Sequence, residues 1–396
     1  MDAEARNHEE QVDPVRAVTR QRREQRPRVS LRGLVDGGRQ PPHRKRQVTK
    51  HHGQNRDPAQ RVDRREAPLG QRCFSSNELC HFSSFVRKRP EPTSFRAPAK
   101  ASINAMKVVV IGTSGQLATE LQRHAALATL ELVAPAKLDV SVASEVSALL
   151  DASRPGVVLN AAAYTAVDKA ESDRQRAFEV NAEGPRHLAE WCARNGAALI
   201  HVSTDYVFDG SKPGAYVETD APGPLGVYGA SKLAGEQALA AALAEHVILR
   251  TSWVFSATGQ NFVKTMLRLA RERDELRVVA DQLGRPTSAA DLARALLSLA
   301  SRLATHGSLA WGTYHFASVG STSWHGFAEA IVEEQAAYTG RRPTVVPIAT
   351  ADYPTPAARP KNSVLDSSLF EKTFEITARS WRDELRDVVR QLASPP

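Results

Sequence analysis

From Met106 onward, short apolar runs alternate with longer stretches in which apolar residues recur every three or four positions. The apolar runs are KVVVIG, LELVA, GVVLNAA, ALIHVS and HVILRTSWVF. Such runs are typical of strands buried in a parallel sheet. The stretches between them predict helices: TELQRHAALA, ASEVSALLDAS, AEGPRHLAEWCARNG and YGASKLAGEQALAAALAE. Strands that alternate with helices predict an α/β fold with a doubly wound parallel sheet of the Rossmann type.

The pattern becomes mixed after about residue 256. Helices are predicted near 261–273, 290–304, 322–338 and 381–393, with short strands near RVVA, TYHFA and TVVPI. We therefore expect a dinucleotide-binding domain over 106–255 and a smaller, mixed α/β substrate-binding lobe over 256–396. The chain shows no internal repeat of the kind that marks solenoids and propellers.

The first 105 residues have a different composition. They hold 23 Lys and Arg against 12 Asp and Glu, out of 52 and 44 in the whole chain. The net charge of +8 therefore comes from this segment, since the remainder has three more acidic than basic residues. With no apolar period, residues 1–105 are expected to be a disordered basic extension, or an over-long reading of the start, because Met106 directly precedes the first strand. A basic tail for nucleic acid or membranes is the alternative.

Cysteine usage and hydropathy restrict the class of protein further. Cys73, Cys80 and Cys192 are too few for a disulfide framework or a four-cysteine zinc site. No apolar run is long enough to span a membrane, and no secretory signal is visible. We expect a cytoplasmic protein that binds neither nucleic acid nor membrane.

A glycine-rich turn follows the first strand and opens a helix. It reads Gly112-Thr113-Ser114-Gly115-Gln116-Leu117-Ala118. Gly112 allows a tight turn, and Gly115 lets backbone N–H groups approach a pyrophosphate at the helix N-terminus. A nicotinamide dinucleotide is therefore the expected coenzyme. The acidic residue that usually selects NAD is missing, and Lys137 stands where a 2′-phosphate could be met, so we expect NADPH or NADH, with NADPH slightly preferred.

Tyr228 and Lys232 are separated by one helical turn and therefore share a helix face. They follow ALIHVS and Thr204, where a sheet strand would end and ligands bind in such folds. A ketone that receives a hydride becomes an alkoxide, which Tyr228 would protonate. Lys232 would lower the pKa of that phenol and hold the nicotinamide ribose. Thr204 would hydrogen-bond the carbonyl oxygen and polarise it.

The sequence lacks the motifs of several other classes of enzyme and binding site. The spacing of His201, His246, His315 and His325 fits no common metal motif, so no metal site is predicted from the histidines. Neither the nucleophile elbow of serine hydrolases nor a P-loop is present.

These motifs together resemble the dTDP-4-dehydrorhamnose reductase family, within the extended short-chain dehydrogenases and reductases. The resemblance covers residues 106–396 and rests on MKVVVIGTSGQLATELQ, VVLNAAAYTAVDKAESD, VSTDYVFDG, VYGASKLAGE, ILRTSWVF, NFVKTMLRLA, DQLGRPT and YPTPAARPKNSVLD. It implies reduction of the 4-keto group of dTDP-4-dehydro-L-rhamnose to dTDP-L-rhamnose. It also allows a homodimer.

The resemblance implies further site residues. Coenzyme-binding positions would be Gly115, Gln116 and Leu117 at the phosphates, Asp139 and Val140 at the adenine, and Ala161, Ala162 and Ala163 along the nucleotide. Substrate-binding positions would be Asp205 and Trp253 at the sugar, with Arg285, Arg359 and Asn362 at the diphosphate.

Some family members dimerise around a magnesium ion held by glutamates. Glu120 fits this arrangement, but Ala290 and Arg382 stand where the other carboxylates are expected, so magnesium is doubtful here. Two alternatives stay open: a reductase of another dTDP-4-keto-6-deoxysugar, and a regulatory subunit without catalysis on the same scaffold.

Overall fold

The computed structural model describes residues 106–112, 114–125, 130–135 and 137–393. The expectations for the extension, and for Cys73 and Cys80 within it, lie outside the described residues. Among those described, no helix is both long enough and apolar enough to cross a membrane.

A six-stranded, all-parallel sheet forms the centre of this part of the chain. Its strands, given in chain order, are β1 (Lys107–Ile111), β2 (Glu131–Val133), β3 (Val157–Asn160), β4 (Ala198–Thr204), β5 (His246–Thr251) and β10 (Gly312–His315). Their spatial order is β10-β5-β4-β3-β1-β2. The chain therefore reverses direction across the sheet between β1 and β3, which is where doubly wound folds bind ligands. The Rossmann-type fold is confirmed.

Alternation of side chains along each strand separates two apolar layers. Val108 and Val110 of β1 pack on one face of the sheet, whereas Val109 and Ile111 pack on the other. The first face is covered by α1 (Gln116–His124), α8 (Ala289–His306) and α10 (Ser368–Phe374). The second is covered by α2 (Ala143–Ser153), α5 (Gly184–Asn195) and α6 (Val227–Ala242). Both faces are buried, which explains why the strands read as continuous apolar runs.

Shorter elements complete the region between β3 and α5. They are α3 (Val167–Ala170), α4 (Arg174–Phe178) and a π-helical turn (Glu179–Glu183) that runs into α5. Helix α5 ends at Gly196 in the left-handed conformation, with φ of 66°, as the Asn195-Gly196 pair predicts.

The remaining elements lie beyond the sheet, and several of them share a further apolar cluster. They are β6 (Val254–Phe255), α7 (Phe262–Glu272), β7 (Glu275–Val279), β8 (Leu283–Gly284), β9 (Thr287–Ser288), β11 (Thr322–Ser323), α9 (Trp324–Thr339), β12 (Thr344–Ile348) and α11 (Trp381–Ala393). The strands pair as β6 with β9, β7 with β12 and β8 with β11.

One segment departs from the predicted division of the chain. The run TYHFA was expected in the C-terminal lobe, but β10 pairs in parallel with β5 and extends the central sheet. Helix α8 packs on the same sheet face as α1. The boundary between residues 255 and 256 stays a prediction, and the structure adds that the later chain returns to the first domain.

Candidate active site

A cleft of about 880 Å³ opens at the carboxyl ends of β1, β3, β4 and β5. It contains most of the site residues that the sequence predicts. Those that line it are Gly112, Gly115, Gln116, Leu117, Lys137, Asp139, Val140, Ala161, Ala162, Ala163, Thr204, Asp205, Tyr228, Lys232 and Trp253. The structure thus brings together residues spread over more than a hundred positions of sequence.

The glycine-rich turn lines this cleft. Gly112 has a φ of +94°, and a Cβ placed there would lie 2.7 Å from the backbone nitrogen of Ala162. Gly115 precedes α1, and a Cβ placed there would meet nothing within 4 Å. The two glycines therefore have different roles: the first allows the backbones of β1 and β3 to approach, and the second leaves space at the helix N-terminus.

The Gln116 side chain fastens the turn to the opposite wall. Its Oε1 accepts hydrogen bonds from Asn261 Nδ2 at 2.9 Å and from Ser256 Oγ at 3.2 Å. The Oε1 atom of Gln116 is therefore occupied by protein partners.

An ion pair that the sequence analysis missed also lines the cleft. Arg176 Nη2 donates to Asp139 Oδ2 at 2.8 Å, and Nη1 donates to Ser141 Oγ at 2.7 Å. Glu179 lies 3.3 Å from the same guanidinium. Hydrogen bonds from Ser141 and Arg176 outweigh burial and hold the pKa of Asp139 below its usual range. The cleft lining thus includes Lys137, a guanidinium and an ionised carboxylate. Arg176 lies 37 positions from Asp139 and follows no recognisable motif.

Tyr228 lies in the first turn of α6 and faces the cleft. Its ring packs edge-on against Tyr206, with centroids 5.6 Å apart. Burial raises the pKa of Tyr228 to about 12, although a hydrogen bond with Thr204 opposes the rise. The phenol is therefore protonated at neutral pH, which is the state that a proton donor needs.

Lys232 is directed toward β4. Its Nζ donates to the carbonyl oxygen of Val202 at 2.8 Å and lies 3.2 Å from His201 Nε2. Burial lowers the pKa of Lys232 to about 8. Burial is thus the main influence on the pKa of both groups, and the expectation that Lys232 lowers the pKa of Tyr228 stays a prediction.

Thr204 ends β4 next to the phenol. Its hydroxyl donates to Asp205 Oδ1 at 3.0 Å and accepts from the backbone nitrogen of Tyr206 at 3.3 Å. Asp205 is 2% exposed, its Oδ2 has no hydrogen-bond partner, and burial raises the pKa of its carboxyl to about 6. Thr204 has only one hydroxyl proton, so a carbonyl ligand would compete with Asp205 for it.

Two stacked indoles form an aromatic wall. The rings of Trp253 and Trp324 lie 3.6 Å apart between centroids and are nearly parallel. Trp253 has a φ of +49°, an uncommon value for a bulky residue, and Gly284 packs against its indole. The sequence predicts Trp253 but not Trp324, whose position at the start of α9 carries no motif.

Three predicted substrate residues lie outside the cleft lining. Arg359 makes two hydrogen bonds of 2.8 Å to the carboxylate of Asp168. Asn362 donates to the carbonyl oxygens of Lys212 and Gly214 and accepts from Val364, so its side chain clamps a loop. Arg285 keeps a buried Nε without a hydrogen-bond partner. Arg359 and Asn362 thus make side-chain contacts within the chain, and their contacts with the diphosphate stay a prediction.

The cleft has the features that a dinucleotide coenzyme requires. The space beyond Gly115 is open, and three small side chains, Ala161 to Ala163, follow β3. Ser203 Oγ and Thr251 Oγ1 are buried in the lining without hydrogen-bond partners. Buried polar atoms of this kind indicate a polar ligand. The residues present therefore fit a nicotinamide dinucleotide.

Basic side chains lie next to Glu120 and at position 382, two of the positions considered for magnesium ligands. The carboxylate of Glu120 accepts from Arg123 at 2.7 Å and lies 3.6 Å from His124. Arg382 lies over the ring of Trp381. In the described part of the chain no cluster of three metal-binding side chains occurs. Whether the protein uses magnesium stays a prediction.

Comparison with known proteins identifies the family. The profile of the RmlD substrate binding domain matches residues 106–394. The dTDP-4-dehydrorhamnose reductase of Sinorhizobium fredii is 46% identical over 287 residues, which are 72% of this chain and 97% of that protein. The crystal structure of the Clostridium acetobutylicum dTDP-4-dehydrorhamnose reductase matches with a TM-score of 0.68 and 37% identity, over 73% of this chain and 100% of that one.

A second crystal structure carries a coenzyme. The dTDP-4-dehydrorhamnose reductase of Bacillus anthracis, solved in complex with NADP, matches with a TM-score of 0.67 and 37% identity, over 72% of this chain and 99% of that one. The fold, the cleft and these relatives agree, and the chain belongs to the dTDP-4-dehydrorhamnose reductase family.

Proposed function

We propose that the protein uses NADPH or NADH to reduce the 4-keto group of dTDP-4-dehydro-L-rhamnose, giving dTDP-L-rhamnose. The observation that carries the proposal is that Tyr228, Thr204 and Lys232 line the same cleft as the glycine-rich turn. The cleft alone indicates only that the substrate is a carbonyl compound. The identity of the sugar nucleotide is inferred from the names of the relatives.

Each of the three residues has a distinct part in the reaction. The coenzyme supplies a hydride to the carbonyl carbon. Tyr228, protonated at neutral pH, gives its proton to the oxygen as negative charge develops there. Thr204 turns its hydroxyl from Asp205 to the carbonyl oxygen and fixes its direction. Lys232 supplies positive charge near the phenolate that remains.

The sugar nucleotide would lie between Asp205 and the aromatic wall. The free Oδ2 of Asp205 can accept a hydrogen bond from a sugar hydroxyl. Trp253, backed by Trp324, offers a flat apolar surface to the ring. Arg285 remains the candidate for the diphosphate, because its Nε lacks a partner.

The Asp139 and Arg176 pair carries groups that can bind either coenzyme. Asp139 can accept a hydrogen bond from a ribose 2′-hydroxyl, as in NADH, and Arg176 or Lys137 can meet the 2′-phosphate of NADPH. We expect Arg176→Ala to raise the KM for NADPH about tenfold more than the KM for NADH, from the loss of one charged hydrogen bond. Steady-state kinetics with both coenzymes tests this. Arg186→Ala, which removes an exposed ion-paired arginine of α5, is the control, and an equal effect on both coenzymes would contradict the assignment.

The rate of reduction should depend on pH through Lys232. Its amine is charged below its pKa of about 8 and neutral above it. Tyr228 stays protonated across this range because its pKa is about 12. We therefore expect kcat to be high below pH 8 and to fall as the pH rises through that value. A profile that stays level from pH 7 to 10, measured at saturating substrate, would exclude this role for the lysine.

Incubation of the purified full chain with dTDP-4-dehydrorhamnose and NADPH tests the proposed function. We expect loss of absorbance at 340 nm and formation of dTDP-rhamnose, identified by mass spectrometry and NMR. Turnover of other dTDP-4-keto-6-deoxysugars but not of this one would assign a different sugar. Coenzyme binding without turnover of any such sugar would favour a regulatory subunit. A cytoplasmic location and a homodimer stay predictions.

A further inference from the structure

A buried hydrogen-bond chain lies behind the catalytic lysine. It runs from Asn160 at the end of β3, through His201 in the middle of β4, to Lys232 on α6. Asn160 and Lys232 are each 2% exposed and His201 is fully buried. The distances are 2.9 Å from Asn160 Nδ2 to His201 Nδ1 and 3.2 Å from His201 Nε2 to Lys232 Nζ. Lys232 lines the cleft, whereas Asn160 and His201 do not.

The direction of each bond in this chain is fixed from one end. The backbone nitrogen of Ala162 donates to Asn160 Oδ1 at 3.1 Å, and a backbone N–H can only donate. The Asn160 amide must therefore turn its NH₂ group toward His201. His201 Nδ1 then has to accept, so the proton of the neutral imidazole is on Nε2.

This tautomer has a consequence for Lys232. With its proton on Nε2, the imidazole donates toward Lys232 Nζ, and an amine can accept only when it is neutral. An ammonium at Lys232 can only donate, so His201 Nε2 would have to accept and the imidazole proton would have to be on Nδ1. The Nδ1–H of His201 and the NH₂ group of Asn160 would then be two donors facing each other. A doubly protonated His201 does not remove this conflict, because burial and the neighbouring Lys232 lower the pKa of His201 well below its usual range.

Other charged groups around Lys232 act differently. Glu236, one turn further along α6, favours the ammonium, but it is itself paired with Arg250 of β5 at 2.6 Å. Tyr228, one turn before, is neutral at pH 7. Asp205 follows β4 and is hydrogen-bonded to Thr204. The chain from Asn160 is thus the contact that opposes charge on Lys232 by direct hydrogen bonding.

We propose that His201 is a positioning residue which, held by Asn160, sets the protonation of Lys232 and thereby the pH range over which the reductase works. The inference rests on the proposed function for its kinetic consequence only. It requires no ligand contact by His201.

The variant His201→Gln tests the proposal in the full chain. A glutamine amide can turn its carbonyl oxygen toward the amine, so it accepts from an ammonium without any tautomer constraint. We expect the fall of kcat at alkaline pH to move upward by about one pH unit, which is within the range of hydrogen-bond effects on a pKa. The KM for the sugar nucleotide and the Kd for coenzyme should change little. If the pH profile of kcat does not move while the KM for the sugar nucleotide rises, His201 has only a structural role.

Asn160→Asp provides a second route to the same change. Its carboxylate still accepts from Ala162 but also accepts from His201 Nδ1, which reverses the tautomer and presents a lone pair to Lys232. The alkaline fall should again move upward. His246→Gln removes a half-buried imidazole at the start of β5, which contacts the carbonyl oxygen of Leu243, and should leave the midpoint in place.

A direct titration keeps this inference separate from the proposed function. The amine of Lys232 can be followed by NMR in chain labelled with ¹⁵N at the lysine Nζ, with the signal assigned by its loss in Lys232→Met. We expect its midpoint to rise in His201→Gln and Asn160→Asp but not in His246→Gln. This result would support the inference even if no dTDP sugar were reduced. Unchanged midpoints in both variants would overturn it, whatever the activity.

Discussion

Replacement of Tyr228 by phenylalanine should lower kcat by about 10² to 10⁴, the range that a positioned proton donor contributes. The hydroxyl that contacts Thr204 is lost, while the ring, its edge-on contact with Tyr206 and the fold remain. Coenzyme affinity should stay within about threefold of the unaltered protein, because no interaction with the phosphates is removed. Stopped-flow kinetics and coenzyme titration by fluorescence measure the two quantities.

Tyr206→Phe is the matched comparison for this result. Both phenols lie in the cleft, but the hydrogen bond with Thr204 belongs to Tyr228. We expect Tyr206→Phe to keep most of the rate. If the two variants lose equal activity, or if Tyr228→Phe loses none, Tyr228 is not the proton donor.

Alanine at Gly115 should abolish measurable coenzyme binding while leaving the thermal stability of the protein unchanged. The added methyl group meets no protein atom within 4 Å, so the fold accepts it. It occupies the space at the N-terminus of α1 where a pyrophosphate would approach the backbone. Differential scanning calorimetry and coenzyme titration give the two readouts.

Alanine at Gly112 is the contrasting variant. Its methyl group would lie 2.7 Å from the backbone of Ala162, and its φ of +94° strains any side chain. We expect Gly112→Ala to lower the free energy of unfolding by about 1–3 kcal/mol or more. Equal coenzyme affinity in Gly115→Ala and the unaltered chain would show that the turn does not hold the phosphates.

Much of the central sheet could be predicted because each of its strands is recognisable from its own short stretch of sequence. The strands β1, β3 and β4 are buried on both faces and read as apolar runs, and Gly196 ends α5 where the sequence places a stop. The position of β10 could not be predicted, since a short run such as TYHFA does not specify which strand it will join.

The shared position of Tyr228 and Lys232 in the cleft could be predicted for a similar reason, whereas several of the contacts of these and other site residues could not. Tyr228 and Lys232 are fixed relative to each other by one turn of helix. By contrast, the arginine at position 359 meets Asp168 across 191 positions, and Lys232 meets His201 across 31. Tertiary contacts of this kind surround Lys232 and Arg359, and no local pattern records them.

Transfer of deuterium from coenzyme labelled at C4 of the nicotinamide tests the central claim most directly. The full chain is incubated with deuterated NADPH and dTDP-4-dehydrorhamnose, and the sugar product is examined by NMR and mass spectrometry. We predict one deuterium at C4 of the dTDP-rhamnose formed for each coenzyme oxidised. Oxidised coenzyme with no deuterium at C4 of the sugar would contradict the account.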